Sequence, residues 1–157
     1  MEPLISTQNQ HQQKIADELS HFLADSYVLY LKTQNYHWNV SGPNFYALHL
    51  MFEAQYKELA DAIDIIAERI RSLGSHTPAS FAEYGKLSSI KEETHTVTAE
   101  EMVKKLMKDH ETLSQQANLI LSKAEKNNDQ GTMDMLIQRI REHDKTAWML
   151  RSTLEKK

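Results

Sequence analysis

NFYALHLMFEAQYKELADAIDIIAERIRS, residues 44–72, decides the fold. Within it Phe45, Leu48, Phe52, Tyr56, Leu59, Ile63, Ala67 and Ile70 recur every three or four residues, the period of one long amphipathic helix that buries a single stripe. Gly42-Pro43 opens this helix and Gly74 closes it, in keeping with the positions these residues favour at helix ends. His49 and Glu53 stand four residues apart, as do Asp64 and Glu68, so each pair projects from one face and is able to chelate a cation. Glu53 and Asp64 point within roughly 20° of one another but lie roughly 16 Å apart along the axis. Ligand bonds of about 2 Å cannot bridge that gap. A second copy of the helix, antiparallel and crossing near Glu58 and Leu59, would bring the His49/Glu53 end of one to the Asp64/Glu68 end of the other. A two-fold axis then generates two identical sites. With His37, five metal-capable side chains belong to this set.

Asn35-Tyr36-His37-Trp38-Asn39-Val40 and Gly42, then Phe45, Leu48-His49, Phe52-Glu53 and Asp64-Ile65-Ile66-Ala67-Glu68-Arg69 resemble the Dps ferritins, the DNA-binding proteins from starved cells or miniferritins. The resemblance covers nearly the whole chain. Its most specific parts are the His-Trp pair, the second histidine twelve residues after the first, and Asp-x-x-Ala-Glu-Arg. It implies a ferritin-like four-helix bundle whose long crossover carries a short extra helix. It also implies a ferroxidase centre of two irons built across the dimer two-fold, in which His37, His49 and Glu53 face Asp64 and Glu68 of the partner subunit. Glu53 departs from the aspartate that many relatives carry, and its longer side chain still supplies an oxygen. The resemblance further implies a hollow homo-dodecamer of two-fold dimers that stores ferric mineral, with acidic pores at three-fold axes. Glu125, Asp129 and Asp134 are pore candidates by position, and each also reads as part of a solvated helix boundary.

Singly, each histidine or carboxylate of the set is more often solvated or a satisfied partner of the core; it is their shared register that points to a site. Trp38 and Trp148 read first as core aromatics with a polar handle, although the resemblance puts Trp38 beside the iron centre. Glu58 and Asp61, as candidate mineral nucleators, read first as ordinary surface acids. His11, His21, His76, His95, His110 and His143 show no paired ligand pattern and read as surface or interface residues.

A chain of 157 residues with four glycines and three prolines suits one domain, residues 1–157, with a substantial core. It has no cysteine, so disulfide and thiol chemistry are excluded. Neither a signal peptide nor a membrane-spanning apolar run is legible, which makes the cytoplasm the expected compartment.

The first helical pattern runs from about Asn9 to Trp38 through Ile15, Leu19, Phe22, Leu23, Tyr27, Leu29 and Tyr30. After the decisive helix, residues 74–97 form a crossover containing Pro78, Gly85 and several serines and threonines, with a short helix around Phe81–Tyr84. Thr98-Ala99-Glu100-Glu101 predicts a capping box, opening a third helix through Met102, Leu106, Leu113, Leu119 and Leu121. Residues 126–131 break it, and Met133, Leu136, Ile137, Ile140, Trp148 and Leu150 mark a fourth. Four helices with one long crossover describe an all-α, ferritin-like bundle.

Imidazole and carboxylate ligands suit Fe(II), and two irons at one centre let hydrogen peroxide be reduced to water without releasing a hydroxyl radical. DNA binding is expected to be weak or absent. Residues 1–30 hold Lys14 against Glu2, Asp17, Glu18 and Asp25, the tail is a short Glu155-Lys156-Lys157, and the net charge is -4. A carboxylate enzyme with its metals inside one bundle would need Glu-x-x-His on two helices, and only Glu92-x-x-His95, in the crossover, fits. The remaining alternative is a non-enzymatic architectural or DNA-binding shell, whose stripe merely packs the dimer.

Overall fold

The computed structural model describes residues 2–155, with side chains from residue 9 onward. It consists of α1 (Glu2–Asn39), α2 (Phe45–Ser72), α3 (Phe81–Leu87), α4 (Ala99–Lys126) and α5 (Gln130–Leu154). Four long helices form the bundle and α3 sits in the crossover, as the sequence predicts. α1 packs on α2 and α4 on α5 as two hairpins, while α1–α4 and α2–α5 contacts join them. Among the described residues there is no strand, and no helix is long and apolar enough to cross a membrane.

Helix ends follow their local chemistry. Gly42 and Gly74 take positive φ, +110° and +93°, where a side chain would be strained. Thr98 and Glu101 form the expected capping box. α1 begins at Glu2, earlier than the Asn9 read from the sequence. α3 runs on to Leu87, three residues past Tyr84, through Gly85. The break between the last two helices is confined to residues 127–129, because Asp129 accepts from Thr132 N–H and caps α5 from Gln130 onward.

The core is a stack of fully buried Leu19, Phe22, Leu23, Leu29, Tyr36, Phe52, Leu59, Ile66, Ile70, Leu106, Leu113 and Leu136, each stabilising the fold by roughly 1.5–3 kcal/mol. On α2 the buried line is Leu48, Phe52, Gln55, Leu59, Ala62, Ile66 and Ile70. That is a slightly rotated version of the predicted stripe, and it leaves Phe45 exposed and Tyr56 and Ile63 half-buried. The crossover is pinned to α1 by Asp25, which is buried and accepts from Ser88 Oγ, Ser89 N, Ser89 Oγ and Ile90 N.

Candidate metal centre

The turn at residues 40–44 folds the last turn of α1 against the first turn of α2, and this places His37 beside His49. Their rings stack with centroids 3.9 Å apart and 12° between planes. Each histidine bonds the other's backbone: His37 Nδ1 to the His49 carbonyl and His49 Nδ1 to the His37 carbonyl, both at 2.7 Å. A carbonyl only accepts, so both Nδ1 atoms carry hydrogen and both Nε2 atoms keep a lone pair. That is the tautomer a metal ligand needs, fixed by the second-shell bond that commonly orients ligating histidines. Phe45 stacks on His49 at 5.1 Å, and Tyr56 meets His37 edge-on at 5.3 Å.

Glu53 lies one turn beyond His49, held by Lys57 at 3.3 Å. Asp64 and Glu68 are exposed, farther along α2 on the side turned away from its buried line. Glu68 borders a groove between α2 and α5 shared with Glu58, Asp61, Asp134 and Arg139. Within one protomer the fold thus brings His37 and His49 together, with Glu53 nearby, and leaves Asp64 and Glu68 apart from them. Among the described residues no three His, Asp or Glu side chains of one protomer gather as a metal site. The outward face of α2 also carries exposed Tyr46, Leu50 and Ile65, apolar surface suited to a second helix. At the expected crossing level, Leu59 is fully buried and Glu58 is bound to Arg139. The outward residues there are Ala54, Lys57 and Ala60, and the small alanines permit close approach.

Behind His37, the buried Tyr36 hydroxyl donates to Glu93 at 2.7 Å, and Lys105 holds the same carboxylate oxygen at 2.7 Å. The bonds from Lys105 and Tyr36 bring the Glu93 carboxyl down to about 2, whereas burial and then Glu93 push the Tyr36 phenol up. This cluster locks the crossover to α1 and α4 next to the histidine pair.

A family model described as a ferritin-like domain matches residues 16–157. The "DNA protection during starvation protein 2" of Bacillus anthracis is 40% identical over 141 residues, 90% of this chain and 97% of that protein. The chain belongs to the Dps family. The Dps structure from Vibrio cholerae O1, described as a member of a broad superfamily of ferritin-like diiron-carboxylate proteins, superposes with a TM-score of 0.91. It is 36% identical, covering 94% of this chain and 92% of that one. The Dps of Staphylococcus aureus gives a TM-score of 0.90 at 35% identity, covering 93% of this chain and 98% of that one.

Several expectations for this Dps-family chain need correction. Trp38 and Trp148 are not core residues but are 62% and 59% exposed. Asp129 is no free pore acid: one oxygen binds Arg69 and Thr132 N–H, and the other accepts from the Thr132 hydroxyl. Glu125 and Asp134 are exposed, and so are His11, His21, His76 and His95. His110 and His143, expected at the surface or an interface, are instead buried inside the bundle. Their Nδ1 atoms lie 2.9 Å apart, His143 Nε2 faces Arg139 at 3.2 Å, and Arg139 donates to Glu58 at 2.6 Å. A guanidinium only donates, so His143 accepts at Nε2 and donates through Nδ1 to His110, whose own proton sits on Nε2. Burial lowers His110 to about 3, with Arg139 adding to it; burial, then His110 and Arg139, hold His143 well below the usual range. The register held the signal: Leu106, His110, Leu113 and Ala117 form one buried line, and Leu136, Arg139, His143 and Ala147 another.

Proposed function

We propose that this chain oxidises Fe(II) at two-iron sites completed across a two-fold interface, and keeps the product as ferric mineral inside a hollow shell of twelve subunits in the cytoplasm. Iron is both substrate and cargo. The observation that carries the reading is the His37/His49 pair, two imidazoles whose reciprocal backbone bonds leave both Nε2 lone pairs free for a metal. Glu53 would add a carboxylate oxygen, with Asp64 and Glu68 supplied by the mate. Mixed imidazole and carboxylate donors suit Fe(II) and leave positions for an oxidant. The apolar Tyr46, Leu50 and Ile65 on the same helix face support an antiparallel α2–α2 contact.

Hydrogen peroxide is the oxidant. Two Fe(II) give two electrons, and peroxide with two protons becomes two waters, so no hydroxyl radical leaves the site. Protection of DNA, the role in the names of the starvation-protein relatives, follows here from removing iron and peroxide together. Duplex binding is weak, because residues 1–30 offer Lys14 against four acids and the net charge is -4. The tail Lys156 and Lys157 lie outside the described residues.

Anaerobic Fe(II) titration followed by peroxide tests this reading. Two Fe(II) bound per inter-subunit site, and two oxidised per peroxide, support it. Absence of saturable Fe(II) binding favours an architectural shell instead.

A further inference from the structure

An unbroken line of aromatic rings leaves the histidine pair and runs up the protomer to the crossover. His37 meets Tyr56 at 5.3 Å, Tyr56 meets Tyr30 at 6.0 Å, Tyr30 meets Tyr27 at 5.7 Å, and Tyr27 stacks on Tyr84 at 4.9 Å and 27°. Four of the six tyrosines of the chain stand in this line. Three helices build it: Tyr27 and Tyr30 are one turn apart on α1, Tyr56 comes from α2, and Tyr84 from α3. Leucine would fill the half-buried positions 27, 30 and 56 and the buried position 84 equally well. What tyrosine adds is a ring that can give up one electron and a hydroxyl that can release the proton.

We propose that Tyr56, Tyr30, Tyr27 and Tyr84 form a hole-transfer path that carries oxidising equivalents away from the iron site to the Tyr27/Tyr84 pair when peroxide meets a site holding a single Fe(II). This rests on the iron-oxidising reading of that site. A lone Fe(II) supplies one of the two electrons that peroxide takes, and the second comes from the path. The balance is Fe(II) + H2O2 + tyrosine + H+ giving Fe(III) + tyrosyl radical + two H2O. Tyr56, which touches His37, is oxidised first, Tyr30 refills it, and Tyr27 refills Tyr30. The deficit rests at Tyr27/Tyr84 because the stacked rings share it. Tyr27 is half-buried and its hydroxyl makes no hydrogen bond among the described residues, so its proton passes to water. Tyr84 donates its hydroxyl proton to the Pro78 carbonyl, a weak base, which makes it a poorer final proton donor than its stacking partner Tyr27. The radical then ends by taking a hydrogen atom from a diffusible thiol or ascorbate-type reductant, since the chain has no cysteine.

The test mixes the assembled full-length protein, loaded with one Fe(II) per site, with peroxide in the presence of a nitroso spin trap. Adducts are mapped by peptide mass spectrometry and Fe(II) oxidation is followed on the same samples. Tyr30→Phe keeps the ring and removes the redox group. It is expected to lower adducts at Tyr27 and Tyr84 by roughly ten-fold or more, raise them at Tyr56, and leave Fe(II) oxidation with two irons per site unchanged. Tyr27→Phe is the second variant, with adducts expected to stop at Tyr30 and Tyr56. Equal Tyr27 and Tyr84 adducts in wild type and Tyr30→Phe overturn the path, as does oxidation of Fe(II) with no tyrosine adduct; in both cases the iron site stands. No Fe(II) oxidation at all overturns the site and the path together.

Discussion

His37 and His49 donate to each other's backbone carbonyls across the α1–α2 turn, at 2.7 Å in both directions. The pair closes the hairpin and sets the tautomer with one set of bonds, so both Nε2 lone pairs are freed as the chain folds. Each ring's orientation depends on the other residue's main chain rather than on a separate side chain.

Replacing His49 and Glu68 together with alanine would remove from each proposed site one imidazole of one subunit and one carboxylate of its mate. Peroxide-driven Fe(II) oxidation, followed by stopped-flow absorbance, is expected to fall by roughly a hundred-fold or more. Size-exclusion chromatography should show the assembly unchanged. Wild-type oxidation rates in this variant would reject the site.

Glu53 is tied to Lys57, a side chain 66% exposed, at 3.3 Å. Lys57→Gln frees the carboxylate and removes a positive charge from beside the proposed metal position. Fe(II) affinity, measured by anaerobic calorimetry, should rise a few-fold, the modest effect expected of an exposed pair. A fall in affinity would show that Glu53 is not a ligand.

Asp25 holds the crossover through four bonds to residues 88–90. Asp25→Ala leaves the N–H groups of Ser89 and Ile90 without that acceptor, and should cost roughly 2–4 kcal/mol in urea unfolding. Asp25→Asn, which keeps an acceptor oxygen, should lose less.

The His110/His143 pair sets an acid limit. Both are lowered in the folded state, His110 to about 3, while in the unfolded chain they titrate near an ordinary value of about 6.5. Between those values the unfolded state binds more protons. Stability is therefore full above the unfolded value and is lost as pH falls toward the folded one, by up to about 1.4 kcal/mol per pH unit for each histidine. Denaturant melts from pH 7 to 4 should show this slope, and His110→Leu/His143→Leu should flatten it. An equal slope in that variant would assign the acid sensitivity to other groups, such as Glu93.

Much of the fold was legible because its signals are local. Helical period, the Thr98/Glu101 capping box and the glycine punctuation each act within a few residues. His37, His49, Glu53, Asp64 and Glu68 were read as a set through register and resemblance; within one protomer the fold brings His37 and His49 together and leaves Asp64 and Glu68 apart from them. What stayed hidden depends on which face a helix turns inward. Trp148 lies among apolar residues in sequence yet points outward on α5, while polar His110, Arg139 and His143 point inward and bond one another in a chain. Asp129 looked like a free acid because its partner Arg69 is sixty residues away on another helix.

The central claim is that neither subunit owns a complete iron site. The most direct measurement is a crystal structure soaked anaerobically in Fe(II), with iron located by its anomalous signal. The account predicts iron bonded at about 2.0–2.2 Å to Nε2 of His37 and His49 from one chain and to carboxylate oxygens of Asp64 and Glu68 from the other. Iron held by residues of a single chain, or His49 far from any neighbouring Asp64 and Glu68, would contradict it.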